Sequence, residues 1–254
     1  MLNPIIITDQ EIALAQLPPN VILYRMTEEE LRSRLRAFLG DAFAMTADPL
    51  PGSMYKLCDY RPFYSAVFAD ALAGRGFTHV GWCDSDVILG DLSSFLPDPS
   101  AYDLIGRLGH FTAFRRTAFF EQVPLRVSAI RRHIADTTRH WQFDEVAFSE
   151  HLLRHYVRRG KIAYFSFYDE GFADVLPEPS DRFVLWTDAA LPDQHLRYED
   201  GTLVRAGGGR RIATIYAHFQ KRPMEVRMRL DFRPADPLHF VIRPNYFATP
   251  ASDR

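Results

Sequence analysis

Residues 77–92, FTHVGWCDSDVILGDL, constrain this chain more than any other stretch. Residues 77–83 are apolar and aromatic, with a β-branched residue at Val80, which suits a buried strand. They lead directly into Asp84-Ser85-Asp86. Two carboxylates at i and i+2 at a strand's end repel each other and are costly to desolvate unless a cation sits between them. In open α/β sheets, ligands bind in the crevice outside the carboxyl ends of the strands. The stretch is therefore a candidate metal–diphosphate site. A bare Asp-x-Asp is commonly just a solvated turn, so the rest of the chain has to decide.

At 254 residues the chain suits one large α/β domain, read here as residues 1–245 followed by a flexible tail at 246–254. Composition is globular, with 47% hydrophobic and 24% charged residues. A formal charge of -2 argues against a nucleic-acid partner held mainly through phosphates. Arginines nevertheless pair up at Arg115-Arg116, Arg131-Arg132, Arg158-Arg159 and Arg210-Arg211. They read either as solvated faces or as a basic rim for an anionic donor or a membrane-surface acceptor. The only two cysteines, Cys58 and Cys83, sit in apolar settings and are expected as buried, reduced thiols. No apolar run approaches the ~18 residues of a membrane span and no signal peptide is visible, so a cytosolic protein is expected.

The chain then alternates strand and helix patterns from its start. Residues 5–9 and 21–26 read as strands, and Thr27 with Glu30 forms a capping box for a helix with Leu31, Leu35, Phe38 and Leu39 inside and Gly40 as its stop. Pro62 is expected in the first turn of a second helix carrying Phe63, Val67, Phe68, Ala71 and Leu72. Lys56, Asp59 and Arg61 stand at that helix's entrance. Asp91 is expected to cap a short turn, residues 102–105 to form a strand, and residues 106–115 to be a glycine-punctuated loop entering another. Residues 126–138 and 144–159 have helical period, the second with Val146, Phe148, Leu152, Leu153 and Tyr156 inside. Residues 161–167 read as a strand, 176–192 as an irregular lid, and 196–205 as a hairpin about Asp200-Gly201. Residues 212–219 make the last strong strand, whose alternation puts His218 on the polar face with Tyr216 and Thr214.

Seven of these segments, in order, resemble metal-dependent glycosyltransferases of the GT-A fold: IIITD, YKLCDYRPFY, GWCDSDVILGDL, LGHFTAFR, Phe143-Asp144-Glu145, YEDGTL and YAHFQKR. The match is closest to a bacterial family often encoded with capsule or lipopolysaccharide genes. The resemblance implies a Rossmann-like mixed sheet flanked by helices, with a C-terminal β-hairpin region. It also implies a sugar-nucleotide donor, a saccharide or lipid-linked acceptor, and Mn²⁺, with Mg²⁺ as the alternative. Under it Asp86 is a direct metal ligand, Asp84 touches ribose or metal-bound water, His218 is a further ligand, and Lys221 pairs with phosphate. Asp59 and Arg61 hold the donor side, and His110 lines the donor-sugar or acceptor pocket or is a structural histidine. Asp144 and Glu145 are the candidates for a base that deprotonates the acceptor hydroxyl, Asp144 being equally placed to cap its helix. Inverting and retaining chemistry both stay open.

A GT-A domain normally begins with a base-binding strand and loop ahead of the segment matching IIITD. On this expectation either the start lies upstream or the domain is trimmed and binds its donor weakly. Two rivals are a nucleotidyltransferase of similar fold, which wants a Gly-rich basic loop after its first strand, and a catalytically inactive sugar- or partner-binding domain.

Overall fold

The computed structural model describes residues 2–13, 17–51, 54–128, 130–167, 173–175, 183–185, 195–207, 210–219, 224–228, 238–243 and 245–250. Strand β1 (Ile5–Thr8) pairs in parallel with β2 (Ile22–Arg25), Ile5 opposite Ile22. Helix α1 (Glu28–Phe43) starts where the capping box places it: the Thr27 hydroxyl accepts from the Glu30 amide at 3.2 Å, and Glu30 accepts from the Thr27 amide at 2.7 Å. Gly40 does not end this helix. The last turn runs on to Phe43, and Ala44 turns left-handed (φ 57°) to donate its N–H to Gly40 and Leu39. A glycine inside a helix costs only about 1 kcal/mol, which tertiary packing of Leu35 and Leu39 readily offsets.

Residues 54–72 are a train of short helical turns rather than a helix opening at Pro62: Met54–Lys56, Leu57–Tyr60, Arg61–Phe63, Tyr64–Val67 and Ala69–Leu72. Pro62 has no N–H to give to the ladder, and the chain tightens into a 3₁₀ turn around it. Strands β3 (His79–Cys83) and β4 (Val87–Leu89) then flank the acidic turn, and β5 (Leu104–Leu108), β6 (Phe111–Arg115) and β7 (Tyr164–Phe165) complete a mixed sheet in the order β3-β6-β5-β7. Residues 106–115 are thus a hairpin, with a bulge between Ile105 and Leu108 where Gly106 takes φ 64°. β3 was expected to be a buried strand. It pairs antiparallel to β6, and only Trp82 of its five residues is buried.

The later helices differ more. The pattern over residues 126–138 yields an α-helix only at Ile130–Ala135, and residues 143–157 form π-helical turns (Phe143–Phe148, Leu153–Val157) around an α-helical one (Ser149–Leu152). The wider turns rotate the face predicted from a 3.6-residue period, and Val146, expected inside, is 54% exposed. These turns cover one face of the sheet, joining Phe143, Phe148 and Ile134 to Trp82, Leu104 and Phe114 in the main core.

Strands β8 (Ala173–Val175) and β9 (Phe183–Leu185) are followed by the hairpin of β10 (His195–Glu199) and β11 (Thr202–Gly207). Its turn has positive φ at both Asp200 (46°) and Gly201 (88°), as a two-residue hairpin requires. The expected last strand is split. β12 (Arg210–Ala213) extends the hairpin sheet, while β13 (Tyr216–His218) crosses to pair with β4 and β8. β14 (Glu225–Arg227), β15 (His239–Ile242) and β16 (Tyr246–Ala248) finish the order β12-β11-β10-β15-β16-β14. The tail expected from residue 246 is therefore corrected: β16 is paired on both sides, and Ala248 is fully buried. Most of the expected lid at 176–192 lies outside the described residues.

The chain is a mixed α/β protein, and among the described residues no helix is long and apolar enough to cross a membrane. At Gly81 β6 leaves no room for a side chain: a Cβ there would lie 1.9 Å from the Thr112 carbonyl oxygen. We expect Gly81→Ala to force the strand pair apart and cost about 1–3 kcal/mol, read as a lowered denaturant midpoint. A variant as stable as the parent would contradict this packing.

Candidate metal centre

The acidic turn lies where the chain leaves one sheet for another, and backbone bonds pin it at both ends. The Asp84 amide donates to the His110 carbonyl at 3.0 Å, and the Phe219 amide donates to the Asp86 carbonyl at 3.0 Å. The first bond ties the turn to the β5–β6 hairpin, the second to the end of β13. Because β13 pairs antiparallel to β4 with His218 opposite Val87, the imidazole arrives next to Asp86.

His218 Nε2 stands 3.8 Å from an Asp84 carboxylate oxygen and 3.7 Å from one of Asp86. These separations exceed hydrogen-bond length. They are close to the roughly 3–3.4 Å that two ligands of one ion keep when each bond is about 2.1 Å. One ligand atom from each of the three residues falls within 4.8 Å of the others. Two carboxylates and an imidazole fit Mn²⁺ or Mg²⁺ as a donor set. All three side chains are 12–20% exposed, so a ligand reaches them while their repulsion is poorly screened by water.

Arg61 supports the other side. One guanidinium nitrogen donates to the Gly109 carbonyl at 2.9 Å and to Asp144 at 3.0 Å, and the other donates to Asp84. Burial works against the cation, and Asp144 and Asp84 more than offset it. Arg61, Asp84 and Asp86 line a cleft of about 410 Å³ whose walls include Tyr55, Tyr64 and Trp82. Both cysteines line it too. Cys83 is exposed and Cys58 half-buried, and neither is in a disulfide, where burial of both was expected.

Several expected site residues lie elsewhere. Asp59 is fully buried and does not face the cleft. It accepts from Lys56 at 2.8 Å and from the amides of Trp141 and Phe143 at 2.9 and 2.8 Å, and Lys56 also reaches the His133 carbonyl at 2.6 Å. Asp59 thus anchors the start of the π-helical turn that carries Asp144. The group Asp59, His140 and Asp144 also has metal-like spacing, but the Lys56 ammonium already supplies Asp59's cation. His110 is buried behind His218, stacked on it with centroids 4.3 Å apart and planes 3° from parallel. Its Nδ1 is 2.9 Å from the Tyr216 hydroxyl, and burial pushes its pKa down to about 3, so a neutral ring backs the candidate ligand. Tyr216, read as a polar-face residue, is fully buried. Its place beside His110 was not legible from alternation, because the strand breaks at Thr214 and Ile215.

Asp144 is not a helix cap; that position is Gln142, at φ 53°. Asp144 is 1% exposed. Glu145 is half-buried and lies over Gly109, where a Cβ would meet its carboxylate at 2.1 Å. Lys221 lies outside the described residues. Among the paired arginines, Arg115 bonds Asp103 at 2.7 Å and Arg211 bonds Glu199 at 2.8 Å.

Burial pushes the Asp144 carboxyl from 3.8 up to about 7, against the pull of Arg61. Between about pH 4 and pH 7 the unfolded chain therefore gives up this proton while the folded chain keeps it. Folding stability carried by this group falls as pH rises through that window and stays low above it. Asp144→Asn lacks the effect. The parent should lose stability relative to the variant by on the order of 4 kcal/mol across the window, measured by urea unfolding at several pH values. A constant difference between the two would contradict a proton on Asp144.

No curated protein and no solved structure matches the chain. A model of a family of unknown function, DUF6625, matches residues 2–250, and the chain belongs to that family.

Proposed function

We propose that the protein is a metal-dependent glycosyltransferase that moves a sugar from a nucleoside-diphosphate sugar to a saccharide or lipid-linked acceptor. The finer fold reading, a GT-A-like domain, belongs to the same proposal, as does action in the cytosol at the inner face of the membrane. The observation that carries it is the meeting of Asp84, Asp86 and His218, 132 residues apart in sequence (218 − 86), at the mouth of an aromatic-walled cleft.

Asp84, Asp86 and His218 would hold the ion. Bound there, Mn²⁺ or Mg²⁺ supplies Lewis-acid neutralisation of the leaving diphosphate. The chain's own groups do the rest. Tyr55 and Tyr64 give the cleft apolar aromatic wall for a base or sugar ring and narrow the space open to water. Arg61 fixes the orientation of Asp84 through its bond to one carboxylate oxygen, leaving the other turned to His218. Asp144 keeps Arg61 in place and is too deeply buried to meet a substrate hydroxyl. Glu145, half-buried over the Gly109–His110 turn, is the better candidate to take the acceptor's proton.

Mn²⁺ with a panel of nucleoside diphosphates should raise the melting temperature for one base. At a ligand concentration about 100-fold above Kd the gain is about 2.7 kcal/mol, or roughly 5–10 °C for a chain of this size. Asp86→Ala should abolish the rise. Glu145→Gln should keep it while turnover falls by roughly 10²–10⁴-fold. No stabilisation by any nucleotide with either metal would sink the reading.

A further inference from the structure

A second cleft, of about 230 Å³, adjoins the acidic turn and shares Ser85 and Asp86 with the first. Its remaining walls are Val87, Ile88, Phe219, Met224 and Phe247, without one polar side chain among them. The fold makes it apolar for a traceable reason. β14 pairs in parallel with β16, Val226 opposite Phe247, so both side chains share a face of the sheet. Met224 lies two residues before Val226 and falls on that face too. Phe247 meets Phe219 edge to face at 5.5 Å, and Phe219 is tied to the acidic turn through its amide bond to Asp86.

Among the described residues, nothing closes this apolar surface over. Val87, Ile88, Met224 and Phe247 are only half-buried, and Val226, continuing the same face, is 45% exposed. An occupant of this cleft has its polar end at Asp86, within reach of whatever fills the first cleft. The rest of it must be apolar. Among the described residues only Ser85 and Asp86 could replace the water that ring hydroxyls of a bare sugar would lose here, whereas a hydrocarbon chain loses nothing and gains burial.

We propose that this cleft binds the hydrocarbon chain of an amphiphilic acceptor and delivers its polar head to Asp86. The inference deepens the transferase reading by choosing a lipid-linked acceptor over a free saccharide. The cleft itself stands whether or not the first one binds a nucleotide.

The test is binding of butyl, hexyl and octyl β-glucosides below their micelle concentrations, with free glucose as control, by calorimetry on the full chain. Affinity should rise roughly two- to fourfold per methylene, and glucose should bind at least tenfold more weakly than the octyl glycoside. Met224→Gln and Phe247→Ala should each flatten the chain-length series, and retained circular dichroism would show that either variant is folded. Asp86→Ala should keep the chain-length dependence although it loses the nucleotide response. If the series rises in a protein that no nucleotide stabilises, the transferase reading fails and the alkyl site holds. Affinity independent of chain length, glucose binding as tightly as the octyl glycoside, or folded variants that keep the full series would overturn the proposal.

Discussion

The Arg61 guanidinium stands between Asp84 and Asp144 and also bonds the Gly109 carbonyl, so the acidic turn, the β5–β6 hairpin and the first π-helical turn meet at one side chain. A planar fork with several donors can satisfy three acceptors at fixed angles, which a lysine ammonium on a flexible stem does poorly. With Arg61 only 13% exposed, losing both carboxylates would leave a poorly solvated charge unpaired. The arrangement is therefore held together by its own electrostatics. It fixes the Asp84 carboxylate with one oxygen turned inward and the other toward His218.

Behind Arg61 lies a second, fully buried arrangement. Lys56 and Asp59 form an ion pair completed by the His133 carbonyl and by the amides of Trp141 and Phe143. Burying two charges is costly, and the pair is tolerable because backbone groups take up the remaining capacity of both. What it contributes is position: it fixes the left-handed Gln142 and the start of the π-helical turn, and through them Asp144 and Glu145. On the opposite side, Tyr216 and His110 back the His218 ring in the same way, by one hydrogen bond and one stack.

Local signals were readable where one short segment carries the whole cause. The capping box at Thr27 and Glu30, the Asp91 cap and the Asp200-Gly201 turn need no information from elsewhere in the chain, and each forms as expected. His218 does stand near the acidic pair, an approach that the family resemblance implied and that alternation alone did not. What escaped was set by partners far off in sequence. Asp59 reads as a helix-entrance residue on the donor side until the amides of residues 141 and 143 are brought to it. Alternation over residues 212–219 treats them as one strand, but the chain changes sheet at Thr214 and Ile215, which buries Tyr216. A 3.6-residue period cannot foresee π-helical turns, and so it misplaced Val146.

The central claim is that Asp84, Asp86 and His218 form one divalent-cation site. Titration of Mn²⁺ into the protein, followed by loss of the free-ion electron paramagnetic resonance signal, tests it most directly. The account predicts one bound ion per chain, weakened at least tenfold in His218→Ala and in Asp86→Asn. No saturable binding by the parent chain, with or without a nucleoside diphosphate, or equal affinity in His218→Ala, would contradict it.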